Sequence, residues 1–188
     1  DATGQDVLFE WQGRARQTRL ELIGGFQAEN VLLAAGLVIA AGAEPADVFD
    51  TLSHLATVRG RMELAATRET GAAVFVDYAH TPDAVETALK AMRPHVMGKI
   101  VVIVGAGGDR DTAKRPLMGA AAAQNADIVI VTDDNPRSED PASIRAAVMA
   151  GAVNAGGSES VTEVGDRAEA ILRGIDMLEA GDALLIAG

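Results

Sequence analysis

Two short stretches of this sequence, GAGGDRDTAKR and TDDNPRSEDP, concentrate charges of both signs. They hold Arg110, Lys114, Arg115 and Arg137, and opposite them Asp133, Asp134, Glu139 and Asp140. The planar arginine fork suits a carboxylate, and a lysine near a helix start suits phosphate. A cluster of mixed sign suits a zwitterion such as an amino acid better than a polyanion. The alternative is a solvated network of ion pairs at a loop end. Arg110 and Lys114 stand one helical turn apart and share a face if a helix has begun there. A third stretch is Asp77-Tyr78-Ala79-His80. A carboxylate at a strand end can hold a ribose hydroxyl or help to order a metal, and His80 could equally cap the helix that follows. His54 and His95 read as ordinary helix-surface histidines, and the methionines at 62, 92, 97, 118, 149 and 177 as core filler. The Asp and His residues make no compact metal motif, and no Ser-His-Asp set can be argued from spacing. Gly105-Ala106-Gly107-Gly108 fails the G-x-G-x-x-G spacing, and no G-x-x-x-x-G-K-[ST] phosphate loop occurs.

The elements that must position these residues are legible as alternating patterns. KIVVIV (99–104) and ADIVIV (126–131) are continuous apolar runs, each opening into one of the charged stretches, with an Ala-rich helix over 113–125 between them. Such runs joined through a helix predict parallel strands of a βαβ unit, whose ligands sit beyond the carboxyl ends of the strands. A strand ending at Asp77 precedes a helix from Pro82 with Thr81 as its N-cap. A helix over 141–155, a short strand near SVTEV, a helix over 167–178 and a last strand, DALLIAG, complete the alternation. The fold expected is α/β: a Rossmann-like, mostly parallel sheet flanked by helices over residues 67–188. Residues 1–66 read as a partial second α/β domain. They show a hairpin or two edge strands before position 23, a helix over 26–41 ending at Gly42, and a second helix from Pro45. Residues 57–63, TVRGRME, read as a junction.

With 188 residues, 48% apolar and without cysteine, the chain is expected to bury one good core, or one domain and part of another. The lack of cysteine excludes a disulfide-stapled domain and a zinc–thiolate site. A formal net charge of −11 argues against a general nucleic-acid binder. No apolar run is long enough to span a bilayer and no signal-peptide pattern occurs, so no membrane partner and a cytoplasmic location are expected. The first residue, Asp1, suggests processing or a fragment.

Taken together, GRME (60–63), DYAHTPD (77–83), GAGGDRDTAKRPLMG (105–119) and TDDNPRSEDP (132–141) resemble the Mur ligases, the amino-acid-adding ligases of peptidoglycan synthesis. Within them the match is to the diaminopimelate-adding, MurE-type members. The resemblance implies an ATP-dependent amide-bond-forming enzyme that uses ATP and Mg2+. Its substrates would be the UDP-N-acetylmuramoyl-dipeptide and meso-diaminopimelate, joined through an acyl phosphate. It implies that residues 1–66 are the tail of the central ATPase domain and 67–188 most of the C-terminal, amino-acid-binding domain.

Arg61 and Asp77 match positions that contact ATP, and Asn30 matches the second asparagine of a stretch near the adenine, with Gln27 standing where the first is usual. His80 belongs to the same ATP group. Asn135 and Arg137 match readers of the distal end of meso-diaminopimelate. Arg110 matches a second carboxylate contact, Asp134 lies beside them, and Gly188 matches the glycine opening a G-K-G-H-E stretch. No catalytic residue and no metal ligand is assigned within these residues. The phosphate loop and metal ligands of the family are not among them, so the chain by itself is expected to be inactive. The full-length enzyme would be monomeric, while these residues alone would self-associate through exposed interdomain surface. The rival readings are a non-catalytic small-molecule-binding module and another amide ligase of the superfamily, of the folylpolyglutamate or cyanophycin synthetase type.

Overall fold

The computed structural model describes residues 1–188. Residues 1–54 form β1 (Gln5–Trp11), β2 (Arg14–Leu20), α1 (Gly25–Ala40) and α2 (Pro45–Thr51), followed by a 3-10 turn at Leu52–His54. β1 and β2 pair antiparallel as a hairpin. Leu20, Leu22, Val31, Ala35, Phe49 and Leu52 close a small core beneath it. Leu33, Leu37 and Val38 of α1 stay exposed.

The rest of the chain builds one six-stranded sheet. Its strands are β3 (Glu63–Thr67), β4 (Ala73–Asp77), β5 (Ile100–Val104), β6 (Ile128–Val131), β7 (Ser160–Glu163) and β8 (Ala183–Ala187). The spatial order is β3-β4-β8-β5-β6-β7, and all pairings are parallel except β3 with β4. The expected α/β fold with a mostly parallel, helix-flanked sheet is what the chain adopts. The stretch read as a junction leads directly into the antiparallel edge strand β3, which that reading left out.

Four helices cover the sheet: α3 (Pro82–Met92), α4 (Lys114–Asn125), α5 (Pro141–Ala155) and α6 (Arg167–Asp176). Side chains alternate along a strand, so the continuous apolar runs feed two cores. Phe75, Ile100, Val102, Val104, Val129 and Leu185 face α3, α4 and α5, while Val74, Val101, Ile103, Ile130 and Leu184 face α6. Caps set where the helices begin. The Thr81 hydroxyl accepts from the Ala84 amide, and the Asp140 carboxylate from those of Ala142 and Ser143, each ahead of a proline at the first helical position. α4 and α5 cross so closely that a Cβ on Gly151 would lie 1.9 Å from the Pro116 carbonyl oxygen, which ties the two helices leaving the charged loops into one block.

Three readings of single residues are corrected. Met97 is 97% exposed and Met177 is 41% exposed, so neither is core filler. α4 starts at Lys114, so Arg110 lies in the loop before it rather than on a shared helical face. His95 is no free surface histidine. Half-buried in the 3-10 turn Arg93–His95, it accepts from the Gly24 amide through Nε2 at 3.2 Å and donates through Nδ1 to the Asp1 carbonyl at 3.0 Å.

His95 thereby latches the hairpin module to the large sheet in its neutral form. Burial lowers its pKa from the usual 6.5. A histidine with a depressed folded pKa stabilises the fold above its unfolded pKa and loses that contribution as pH falls through the folded value. Acidification below pH 6.5 should therefore loosen the hairpin first. An NMR titration should show the Gly24 amide shifting together with the His95 ring, at a midpoint below the usual 6.5 of a histidine.

Candidate functional site

β4, β5, β6 and β8 run parallel, so their carboxyl ends share one edge of the sheet. The segments leaving that edge surround a cleft of about 480 Å³. β4 contributes Tyr78 and His80, and β5 contributes Gly105–Gly107, Arg110 and Asp111. β6 contributes Asp134, Asn135 and Arg137, while Gly188 closes the end of β8. Lys114, Arg115 and Met118 of α4 form a further wall. Four cations and two carboxylates thus line one space of the size that small-molecule sites occupy.

The two charged loops are laced together. Gly108 donates its amide to the Asn135 carbonyl at 2.9 Å. A Cβ at Gly108 would meet the Pro136 carbonyl oxygen at 1.9 Å, so only glycine permits this approach. Arg137 donates from Nη1 to the Gly108 carbonyl at 2.6 Å. Asp109 and Arg137 both take left-handed backbone angles, φ 51° and 50°, which non-glycine residues rarely adopt without support from their surroundings. That support is visible: the Asp109 carboxylate accepts from the Ser138 hydroxyl at 2.7 Å and the Ser138 amide at 3.3 Å. Arg115, with its side chain only 7% exposed, pairs with Glu139 at 2.6 Å. The Arg115 guanidinium, followed by the Asp109 amide, holds the Glu139 carboxyl below the usual carboxylate range.

The flanks are also held. Arg145 of α5 pairs with Asp133 and with Glu163. Arg167 of α6 donates to the carbonyls of Ala187 and Gly188 at 3.1 and 3.2 Å, fixing the end of β8.

A second cleft, of about 410 Å³, lies between α1 and α3 and is lined by Phe26, Arg61, Asp77, Thr81, Asp83 and parts of α3. Asp77 accepts the Met62 amide at 2.7 Å, which anchors the turn carrying Arg61. The Arg61 guanidinium lies 5.2 Å from the centre of the Tyr78 ring. The residues matched to ATP therefore do not all meet in one place. Arg61 and Asp77 line this cleft, His80 lines the larger one, and Asn30 is exposed on α1 one turn beyond Phe26. Arg110, Asp134, Asn135, Arg137 and Gly188 all line the larger cleft. Sequence reasoning gave no role to Tyr78, whose exposed ring stands between the two clefts, against His80 at 4.8 Å. An aromatic beside a histidine at a strand exit was the available signal.

Comparison with known proteins decides the family: the model described as "Mur ligase, glutamate ligase domain" matches residues 60–188. The chain belongs to this Mur ligase family. Two curated relatives are each named UDP-N-acetylmuramoyl-L-alanyl-D-glutamate–2,6-diaminopimelate ligase. The one from Caulobacter vibrioides is 51% identical over 98% of the chain, and the one from Bradyrhizobium diazoefficiens is 52% identical over 100%. A solved structure of a ligase with the same name superposes with a TM-score of 0.70 at 36% identity, covering 97% of the chain and 37% of that structure. The Thermotoga maritima UDP-N-acetylmuramate-alanine ligase MurC superposes at 0.77 with 24% identity, over 100% of the chain and 40% of its own; it shares the fold. The chain spans 37% of the length of the two curated relatives. The Mur ligase resemblance drawn from the four motifs is met at the level of the family.

Proposed function

We propose that these residues are the amino-acid-binding part of a longer ATP-dependent ligase. That ligase adds meso-diaminopimelate to UDP-N-acetylmuramoyl-L-alanyl-D-glutamate in peptidoglycan synthesis. One observation carries the reading: Arg110 and Arg137, from two different strand exits, line a single cleft together with Asp134. Two guanidinium forks and a carboxylate are the complement of a ligand with two carboxylates and two ammonium groups. The names of the curated relatives support the same substrate. In the proposed division, residues 1–66 are the tail of the nucleotide-handling domain and 67–188 belong to the amino-acid-binding domain.

Arg110, Asn135 and Arg137 hold the ligand's carboxylate ends, Asp134 its cationic side, and Gly188 lets the ligand approach the end of β8. These residues bind and orient; the reacting amine is presented, not activated, by them. ATP supplies the phosphoryl group that turns the acceptor carboxylate into a leaving-group-bearing acyl donor. Arg61 and Asp77, in the neighbouring cleft, suit part of a nucleotide, since Arg61 is exposed and Asp77 spends only one carboxylate oxygen on the Met62 amide. No three His, Cys, Asp or Glu side chains converge in these residues. No step is assigned to the metal through this part of the chain.

Phosphoryl transfer needs many phosphate contacts held in one geometry, and the phosphate-loop pattern does not occur in these residues. The 188-residue chain alone should release no phosphate from ATP above background. The full-length ligase should do so only when the UDP-dipeptide and meso-diaminopimelate are both present. Ordinary turnover by the chain alone would refute the division of labour, and diaminopimelate-independent turnover by the full-length protein would refute the substrate.

A further inference from the structure

We propose that Glu139 and Arg115 are positioning residues for amino-acid recognition, forming a clasp that sets the separation of the two arginine-bearing loops. This rests on the reading of the cleft as the diaminopimelate site. Arg115 leaves α4 with its side chain almost wholly buried, and meets Glu139, three residues after Asn135-Pro136, at 2.6 Å. The same carboxylate oxygen, Oε1, accepts the Asp109 amide at 2.6 Å. In return the Asp109 carboxylate takes the amide and the hydroxyl of Ser138. Each loop therefore uses a carboxylate to hold the backbone of the other. The ligand arginines are the immediate neighbours of these contacts: Arg110 follows Asp109, and Arg137 precedes Ser138.

A clasp for stability alone would need none of this. Buried ion pairs are often no better for stability than apolar groups of the same shape. An apolar pair could not, however, accept the amide of Asp109, whose backbone is left-handed. The arrangement suits positioning. A misplacement of about 1 Å in a ligand-orienting group costs on the order of a hundredfold.

The test compares Glu139→Ala, Glu139→Gln and the double variant Arg115→Met/Glu139→Leu in the full-length ligase. Glu139→Ala should raise the KM for meso-diaminopimelate by about 30-fold, within the range that loop misplacement allows, while the KM for ATP stays within about twofold. Glu139→Gln keeps a carbonyl acceptor for the Asp109 amide and should recover most of that loss. The double variant keeps a filled core, so it should retain the wild-type melting temperature and still show the raised KM. An unchanged KM for diaminopimelate in folded Glu139→Ala or in the double variant overturns the proposal, as does an equal rise for ATP. Hydrogen exchange in the 188-residue chain gives an answer independent of the substrate. The Gly108 and Asp109 amides should exchange at least about tenfold faster in Glu139→Ala while β5 amides keep their protection. If the full-length ligase shows no diaminopimelate-dependent turnover, the proposed function fails. The exchange result then decides the clasp: unchanged protection at Gly108 and Asp109 overturns it, and selective acceleration supports it.

Discussion

In the proposed full-length ligase, Arg137→Ala should raise the KM for meso-diaminopimelate about 30-fold or more and leave the KM for ATP nearly unchanged. An arginine–carboxylate fork joins charge to two parallel hydrogen bonds, and losing one partner costs on the order of 2–5 kcal/mol when the site is desolvated. Arg137 is exposed in the open cleft, so the loss should fall near the lower end of that range. Its guanidinium already spends one N–H on the Gly108 carbonyl, which fixes its direction before any ligand arrives. Arg137→Lys should not restore binding, because an ammonium cannot reproduce the fork. Steady-state kinetics with each substrate varied in turn would check this. A variant with wild-type efficiency toward diaminopimelate would reduce DNPR to a structural turn.

Gly108→Ala should be as damaging without touching a charge. The added methyl would sit 1.9 Å from the Pro136 carbonyl oxygen and 2.6 Å from its carbon, atoms of backbone that cannot swing aside. The β5 and β6 loops must part by more than an ångström, pulling Arg110 and Arg137 out of register. A displacement of that size costs roughly a hundredfold in kcat/KM for diaminopimelate. The cleft lies beyond the strand ends, so far-ultraviolet circular dichroism should not change. Gly36→Ala on α1 meets nothing within 4 Å and serves as the control, with activity unchanged. Equal activity in Gly108→Ala would mean that the close approach of the loops is not needed.

The sheet was legible in the sequence because both faces of its inner strands are buried. KIVVIV, DIVIV and ALLIA then carry no polar interruption, and Thr81, read as an N-cap, caps α3. β3 was not legible. Its segment ELAAT has little β-branched or aromatic content, and only pairing with β4 makes it a strand. The spacing of Arg110 and Lys114 left open whether a helix already joins them; the left-handed Asp109 and the turn at Asp111–Ala113 delay the helix to Lys114. The roles of His95 and Glu139 depend on partners 71 and 24 residues away in sequence, and periodicity carries no such information. Charge density announced the cleft. Which charges face a ligand and which hold the loops could be read only from the fold, since Arg115 and Arg137 look alike in sequence and differ in burial.

The central claim is that the mixed-charge cleft selects an amino acid with a second amino-carboxylate end. The direct measurement is kcat/KM of the full-length ligase for meso-diaminopimelate and for L-lysine, which lacks the distal carboxylate, as competing acceptors. A site built to pair a charged group rejects the analogue lacking it strongly, so a preference for diaminopimelate of at least about a thousandfold is expected. That preference should collapse in Arg137→Ala. Comparable efficiency with the two amino acids, or a preference that survives Arg137→Ala intact, would contradict the account.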